Sequence, residues 1–108
     1  MYEPSRHLAT FHLAGFQHWD GALVLDRLKP GIELGLAPEP DNPHDPDAVA
    51  VRLDGTKIGY LPADESPLVA LMSRFGHADA FELRVLQVDP EAAPWRQVRA
   101  GLFVRDAR

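Results

Sequence analysis

Short runs in which hydrophobic and polar residues alternate cover much of this chain, and they predict β-strands. From Val49 to Leu53 the aliphatic side chains fall on every second position, which is the period of a half-buried strand. The stretches with this pattern are 8–15, 32–36, 48–53, 57–61, 81–88 and 98–105, and prolines and glycines separate them. In the fifth stretch the alternation slips by one residue at Val85, after which Leu86 and Val88 take over the apolar face, so a β-bulge is expected there. The pattern predicts a mainly β fold, a small six-stranded barrel.

Two segments are predicted to be helical. Residues 66–75 carry apolar side chains at the spacing of one face of an α-helix, and we expect this face to pack against the core. These side chains are Leu68, Leu71, Met72 and Phe75. Ser66 is the expected N-cap of this helix, and Gly76 suits the turn that ends it. Residues 20–28 are predicted to form a shorter helical turn, capped by Asp20.

The loop at residues 41–47, D-N-P-H-D-P-D, is the densest turn segment in the chain. Asn and Asp side chains accept hydrogen bonds from nearby backbone N–H groups, and each proline fixes φ and excludes a helix. We therefore expect this loop to be held by its own hydrogen bonds. Asp54 and Gly55, between two alternating runs, are typical of a tight β-hairpin.

Size and charge narrow the class of protein. The 108 residues suffice for one domain, which we expect to span residues 1–108 and to be monomeric. Without cysteine the chain has no disulfide or thiolate chemistry, which suits a reducing compartment, and we expect a cytoplasmic location. No apolar run approaches the ~18 residues that span a membrane. Because the formal net charge is −5, any site for nucleic acid must be a local one.

Catalytic motifs are missing from the sequence, and we predict a protein that is not an enzyme and uses no cofactor. It contains no G-x-S-x-G, no phosphate-binding glycine loop and no H-E-x-x-H. The acidic loop at 41–47 is an alternative site for a metal ion. It departs from an EF-hand, however, because its sixth residue is Pro46 and its twelfth is Arg52, and it lacks the second histidine of a zinc site. We therefore predict no metal.

Aromatic residues follow the first predicted strand, at Phe16 and Trp19, with His18 between them. Rings in an exposed loop can stack on nucleobases, and each stacked base contributes about 1–3 kcal/mol. The alternative is structural: Phe16 would belong to the core, and Trp19 would pack on the following helical turn. Taken alone, these residues favour the structural alternative.

Four segments, in this order, resemble the HIRAN domain. They are GFQHWDG at 15–21, LKPG at 28–31, EPDNPHDPDAVAV at 39–51 and IGYLP at 58–62. HIRAN domains are small barrels similar to the OB-fold, found in SNF2-type helicases and ubiquitin ligases and as small bacterial proteins. The resemblance implies a module that binds single-stranded DNA and captures a free 3′ end in DNA repair or replication-fork processing. A helicase or nuclease is then the expected partner.

The resemblance also implies which residues bind DNA. The loop after the first strand would supply stacking and phosphate contacts, and the D-N-P-H-D loop would supply a ring at His44 and a carboxylate at Asp45 that accepts from the terminal 3′-hydroxyl. With Asp41 from the same loop and one basic residue, the predicted nucleic-acid-binding residues are Gln17, His18, Trp19, Asp41, His44, Asp45 and Lys57. The carboxylate would distinguish an end from a continuing strand, because a phosphodiester would bring a second negative charge against it.

Three positions depart from the family pattern and leave a second function open. The family places a basic residue at the position of Gln17 and tyrosines at those of His18 and His44, so this chain loses phosphate attraction and stacking area. Basic residues that could compensate are Arg27, Lys29, Arg52 and Lys57. The alternative function is a protein-interaction adaptor that docks on a DNA-processing helicase or nuclease.

Overall fold

Strands and short helices make up most of residues 5–105, the part of the chain that the computed structural model describes. The strands are β1 (Ser5–His12), β2 (Glu33–Pro38), β3 (Val49–Leu53), β4 (Thr56–Tyr60), β5 (Phe81–Val88) and β6 (Val98–Arg105). The α-helix α1 covers Ser66–Arg74, and 3-10 helices cover Phe16–His18, Asp20–Arg27, Ala78–Ala80 and Pro94–Arg96. No helix within residues 5–105 is long and apolar enough to span a membrane.

The six strands form one antiparallel sheet in the order β1-β6-β5-β2-β3-β4. The two edges of this sheet meet just beyond the end of β1, where Ala14 and Tyr60 exchange two backbone hydrogen bonds of 2.9 and 2.8 Å. Gly59 permits this contact, because a Cβ atom there would lie 2.8 Å from the carbonyl oxygen of Ala14. The predicted mainly β, six-stranded fold is confirmed. The Ala14–Tyr60 bridge joins the two edges of the sheet at one point, so the sheet forms a partly closed barrel.

The core lies inside the curled sheet and includes the alternating residues that the sequence predicts. The aliphatic side chains of β3, at Val49, Val51 and Leu53, are all buried. Phe16 is buried as well, so the structural alternative holds for that ring. The hairpin between β3 and β4 is also confirmed: Asp54 and Gly55 have φ of 49° and 84°, the two positive values that a type I′ turn requires.

The β-bulge predicted in β5 is confirmed, with one correction. The pairing of β5 with β6 shifts register between Val85 and Gln87, so Leu86 is the extra residue. Leu86 is exposed, and its predicted place on the apolar face is wrong. Because the bulge absorbs one residue, the core side of the strand resumes at Val88, which packs against the core.

Helix α1 presents a different face to the core from the one predicted. Its buried residues are Ser66, Val69 and Ala70. Three of the four side chains expected in the core, Leu68, Leu71 and Phe75, are instead 46, 47 and 70% exposed, and only Met72 packs partly against it. Short side chains on the buried face let the helix lie close over β2 and β3, and the longer ones are left outside. Helical spacing identified an apolar stripe but not the side of the helix that the sheet covers.

The end of α1 agrees with the prediction. Gly76 has a φ of 81°, and its N–H donates to the Ser73 carbonyl at 3.1 Å. The N–H of His77 donates to the Met72 carbonyl at 2.9 Å. These two bonds form a Schellman turn, in which glycine is preferred because the left-handed conformation costs it least.

Neither predicted N-cap is observed. Ser66 is the first residue of α1 rather than its cap, Glu65 holds the cap position, and no side chain caps the helix. The helical turn predicted at residues 20–28 exists, but it is a 3-10 helix preceded by Trp19. The Asp20 side chain makes no capping hydrogen bond there. The hydroxyl of Ser66 is thereby left without the role that the sequence suggested.

Candidate nucleic-acid interface

Two adjoining cavities form a groove between the turn after β1 and the loop after β2. Their volumes are about 630 Å³ and about 350 Å³. The residues that line both are Trp19, Asn42, His44 and Tyr60, and we call the continuous surface the Trp19–His44 groove. Lys57 lines only the larger cavity, and Asp45 lines only the smaller one. Residues that are far apart in the chain thus face one another across a single depression.

Trp19 reaches the groove because the chain turns sharply after β1. Gly15 adopts a φ of 66°, and the 3-10 helix that follows is anchored by the buried Phe16. The Trp19 side chain stays 41% exposed, and its ring meets that of Tyr60 edge to face, with 5.9 Å between centroids and 66° between planes. These two rings, from different parts of the chain, form one wall of the groove.

The loop after β2 is held by its own side chains, as predicted. Asn42 Oδ1 accepts hydrogen bonds from the backbone N–H groups of His44, at 2.9 Å, and Asp45, at 3.1 Å. Asp45 Oδ1 accepts from the N–H of Asp47 at 2.9 Å, and Arg74 of α1 donates to the Asp47 carboxylate at 2.7 Å. His44 and Asp45 are therefore preorganised, and little ordering is needed when a ligand binds.

A charged cluster supports the aromatic wall. Lys57 Nζ lies 2.6 Å from Glu39 Oε2 and donates to the Tyr60 hydroxyl at 3.0 Å. The Tyr60 hydroxyl donates in turn to Glu39 Oε1 at 2.7 Å, and Asn42 Nδ2 donates to the same oxygen at 3.1 Å. Lys57 Nζ also lies 4.1 Å from the centroid of the Trp19 ring, a cation–π contact. One ammonium group thus touches both rings of the wall.

The same contacts shift the pKa values of the ion pair. Burial alone would raise the pKa of Glu39, but hydrogen bonds from Lys57, Tyr60 and Asn42, together with the Lys57 charge, hold it below its ordinary value. The hydrogen bonds to Glu39 and Tyr60 raise the pKa of Lys57. The pair therefore remains charged at neutral pH, and the positive charge of Lys57 is balanced inside the protein.

The smaller cavity is mostly apolar. Its apolar lining comes from Ala14, Ala48, Leu61 and Ala63, beside the two rings. Its polar lining includes Asp45, whose Oδ2 has no hydrogen-bond partner among residues 5–105. Ser66 also borders this cavity, but its Oγ is buried and has no hydrogen-bond partner within the same residues. Apolar walls with a few fixed polar atoms are typical of sites for flat aromatic ligands with a polar edge.

The structure brings five of the seven predicted site residues to the groove. They are Trp19, Asp41, His44, Asp45 and Lys57. Gln17 and His18 are exposed on the 3-10 helix before Trp19 and line neither cavity. Within residues 5–105 no group of three or more His, Asp or Glu side chains is placed to hold a metal ion.

Basic residues near Gln17 come from a segment outside the predicted site. The 3-10 helix Pro94–Arg96 contacts the one at Phe16–His18. Arg96 and Arg99 line a separate cavity of about 470 Å³, together with His12 and Asp89, and neither arginine forms an ion pair within the described chain. Of the residues expected to compensate, Arg27 is bound to Asp54 and Lys57 to Glu39, whereas Lys29 and Arg52 are exposed outside the groove.

Groove residues outside the predicted site set include Tyr60, Glu39 and Ser66. Tyr60 is an aromatic residue within the I-G-Y-L-P segment that carries the family resemblance, which was a usable sign of a ring in the site. Glu39 and Ser66 gave no comparable sign. The role of Glu39 depends on the strand pairing that sets it beside Lys57, and Ser66 had a simpler explanation as a helix cap.

Comparisons with known proteins identify a family and similar folds. The family model of the HIRAN domain matches residues 8–104. A comparison with curated proteins finds no match. The structure is similar to that of a protein from Lactobacillus plantarum, at 20% identity and a TM-score of 0.78, with 98% of this chain and 100% of that chain covered. It is also similar to the HIRAN domain of human HLTF, at 15% identity and a TM-score of 0.68, with 96% of this chain and 81% of that chain covered.

The structural neighbours identify the fold, and the family match identifies the family. At these identities the neighbours show the fold, and they confirm the OB-like architecture expected from the sequence. The family match extends from β1 to β6 and takes in both loops that form the groove. The chain therefore belongs to the HIRAN domain family, whose members are nucleic-acid-binding domains.

Proposed function

We propose that the Trp19–His44 groove binds the 3′-terminal nucleotides of single-stranded DNA, with the free 3′-hydroxyl at Asp45. The observation that carries this proposal is that Trp19, His44 and Asp45, from two distant loops, line one cavity of about 350 Å³. Rings and a carboxylate in one small site match the chemistry of a nucleotide end, which offers a flat base and a hydroxyl donor.

The carboxylate supplies the selectivity for an end. Asp45 Oδ1 is used by the backbone of its own loop, and Oδ2 is free of protein partners within residues 5–105. A 3′-hydroxyl can donate to this oxygen, whereas a 3′-phosphate or a continuing phosphodiester would place negative charge against it. Asp45 thus attracts one kind of terminus and repels the other.

The phosphate backbone needs positive charge, and the segment beside Gln17 is its source. Arg96 and Arg99 form no ion pair in the described chain, and the 3-10 helix that contains Arg96 contacts the turn carrying Gln17 and His18. On this proposal the strand leaves the groove across that turn and its phosphates meet the two arginines. A local positive surface of this kind serves a chain whose net charge is −5.

Fluorescence anisotropy tests the proposal with two labelled oligonucleotides that differ only in a 3′-hydroxyl or a 3′-phosphate. We expect tighter binding of the hydroxyl form. Asp45→Asn should weaken that binding about tenfold and remove most of the discrimination, because it replaces a charge-assisted hydrogen bond by a neutral one. Asp79→Asn, which makes the same charge change outside the groove, is the control and should leave both affinities unchanged. Equal binding of both oligonucleotides by the wild type would refute end recognition.

On this proposal the biological role is to present a 3′ end to a DNA-processing enzyme in repair or replication-fork processing. A second candidate function is docking onto such a helicase or nuclease without DNA, and the exposed side chains of Leu68 and Leu71 on α1 and of Phe75 just after it favour this alternative. The anisotropy experiment separates the two, because an adaptor would bind neither oligonucleotide at low salt.

A further inference from the structure

A row of polar side chains crosses the outer face of the sheet near the turn that carries Gln17. Arg99 of β6 pairs with His12 of β1 on one side and with Gln87 of β5 on the other. Paired residues in adjacent strands point to the same face of a sheet, and the residues on either side of Arg99 are buried, so this row faces away from the core. All three side chains line the cavity of about 470 Å³, which we call the Arg99 cavity.

The loop between β5 and β6 borders the Arg99 cavity and is held by its own hydrogen bonds. The backbone N–H of Asp89 donates to the Gln97 carbonyl at 2.8 Å, and the Gln97 side chain donates to the Pro90 carbonyl at 3.1 Å. The N–H of Arg96 donates to the Ala93 carbonyl at 2.8 Å. The shape of the cavity is therefore largely set before a ligand binds.

The basic side chains of this cavity have no protein partner. Within residues 5–105, the side chains of His12, Arg96 and Arg99 form no hydrogen bond or ion pair. Asp89 is the one acidic residue in the lining, and its Oδ1 accepts from the backbone N–H of Glu91 at 3.1 Å. Basic groups placed side by side repel one another, so an anion between them is favourable.

We propose that the Arg99 cavity binds one phosphate of the DNA backbone and that His12 donates a hydrogen bond to it. This inference rests on the proposed function, in which the strand leaves the Trp19–His44 groove and meets Arg96 and Arg99. The 3-10 helix of Arg96 contacts the turn beside the groove, so the cavity lies on that path. A phosphodiester offers two charged oxygens, which the arginines and the imidazole can share.

Histidine makes this contact dependent on pH. The charged side chains that face His12 in the cavity are Arg99 from β6, Arg96 from the 3-10 helix and Asp89 just after β5. A bound phosphate adds negative charge beside the imidazole, so the complex favours the protonated form. Protonated imidazole supplies a charge and two donors, whereas the neutral ring supplies one donor. His12 therefore contributes most to binding at mildly acid pH.

The experiment measures by fluorescence anisotropy how wild type and His12→Gln bind a single-stranded oligonucleotide of about ten nucleotides with a 3′-hydroxyl. It is done at about pH 5.5 and about pH 8, on either side of the range in which imidazole titrates. We expect His12→Gln to bind about fivefold more weakly than wild type at the lower pH. At the higher pH the two should bind equally, because glutamine keeps a neutral donor, and this equality also shows that the variant is folded.

Two further variants and a modified ligand sharpen the result. His7→Gln makes the same change on β1 outside the cavity, where His7 contacts the ring of Phe103, and it should bind like wild type at both pH values. His12→Arg carries a permanent charge and should bind more tightly than wild type at the higher pH. Uncharged methylphosphonate linkages in the oligonucleotide should remove the difference between wild type and His12→Gln at the lower pH.

The outcomes separate this inference from the proposed function. Equal binding by wild type and His12→Gln at both pH values, or a loss of the same size at both, would overturn the inference. So would a difference that persists with the uncharged linkages. If wild type discriminates 3′-hydroxyl from 3′-phosphate, such results leave the proposed function intact. If the loss is confined to the lower pH but wild type does not discriminate the two ends, end recognition is refuted and the phosphate site stands. If wild type binds no oligonucleotide, both fail.

Discussion

Lys57 places its ammonium nitrogen 4.1 Å from the centroid of the Trp19 ring, and the same nitrogen lies 2.6 Å from Glu39 Oε2. The Glu39–Lys57 ion pair therefore contacts the aromatic wall of the groove, and the charge of Lys57 is balanced by Glu39. Lys57 is therefore better described as positioning Trp19 and Tyr60 than as a phosphate contact.

Replacing Lys57 by methionine should destabilise the domain and loosen the wall. The change leaves the carboxylate of Glu39 partly buried without its counter-ion, and we expect a loss of about 2 kcal/mol in the free energy of unfolding. Urea unfolding measures it, and Trp19 fluorescence in a Trp95→Phe background reports the ring. Arg27→Met, which breaks an exposed ion pair with Asp54, is the control and should cost less than about 1 kcal/mol. Similar losses in the two variants would contradict this role.

The Glu39–Lys57 pair should also give stability a defined dependence on pH. The pKa of Glu39 is lowered on folding, so its contribution is complete above its ordinary value of 4.5 and is lost as the pH falls through the folded value. The pKa of Lys57 is raised, so its contribution is complete below 10.5 and is lost at higher pH. In urea unfolding between about pH 3 and about pH 7, the range in which a carboxyl group titrates, the difference between wild type and Glu39→Gln should shrink towards the acid end. A difference independent of pH would count against the pair.

His44 should contribute to binding and not to folding. Its side chain is exposed in the groove on a loop that Asn42 holds through the backbone. We expect His44→Ala to reduce the binding free energy for a 3′-hydroxyl oligonucleotide by about 1–3 kcal/mol, the contribution of one stacked base, and to leave the unfolding midpoint unchanged. His77→Ala, at an exposed position outside the groove, supplies the comparison for both measurements. Normal affinity of His44→Ala would exclude stacking on this ring.

Gln17 offers a gain-of-function test. An arginine there adds a positive charge to an exposed turn beside the groove, next to the helix of Arg96. We expect Gln17→Arg to tighten binding and to steepen the dependence of log K on log salt by about 0.7, the value for one extra phosphate neutralised on a single strand. Leu8→Arg adds the same charge on β1, outside both cavities, and should change the slope less. Equal slopes would show that the strand does not cross this turn.

Arg96 and Arg99 should give the opposite result. Replacing either arginine by glutamine should weaken binding. It should also reduce the slope of log K against log salt by about 0.7 for each phosphate that the protein no longer neutralises. Arg52→Gln is the matched control, because Arg52 is exposed on β3 and lines neither cavity. Titrations at several salt concentrations measure the slopes, and an unchanged slope in both arginine variants would remove them from the phosphate path.

Local patterns determined how much of the fold could be predicted. The strands and the Asp54–Gly55 turn follow from alternation and turn chemistry within a few residues. The orientation of α1 does not follow from local patterns, because two of its faces are apolar. One face continues from Leu68 and Leu71 to Phe75, and the other carries the shorter Val69 and Ala70. Only packing on the sheet decides which of the two faces is buried.

The site was predictable in its parts but not in its arrangement. The rings, the turn residues and the carboxylate stand in the sequence, and the family resemblance linked them. Their meeting depends on the bridge between Ala14 and Tyr60, a long-range contact with no local sign. The sequence likewise could not show that the buried hydroxyl of Ser66 has no hydrogen-bond partner within residues 5–105, because this depends on the side chains that surround it in the fold.

The most direct test of the groove is an NMR titration of ¹⁵N-labelled protein with a short single-stranded oligonucleotide that ends in a 3′-hydroxyl. We expect the amides of His44 and Asp45 and the indole N–H of Trp19 to shift together along one binding curve, and a 3′-phosphate on the same oligonucleotide to weaken the response. Shifts confined to α1, with these three signals unmoved, would contradict it.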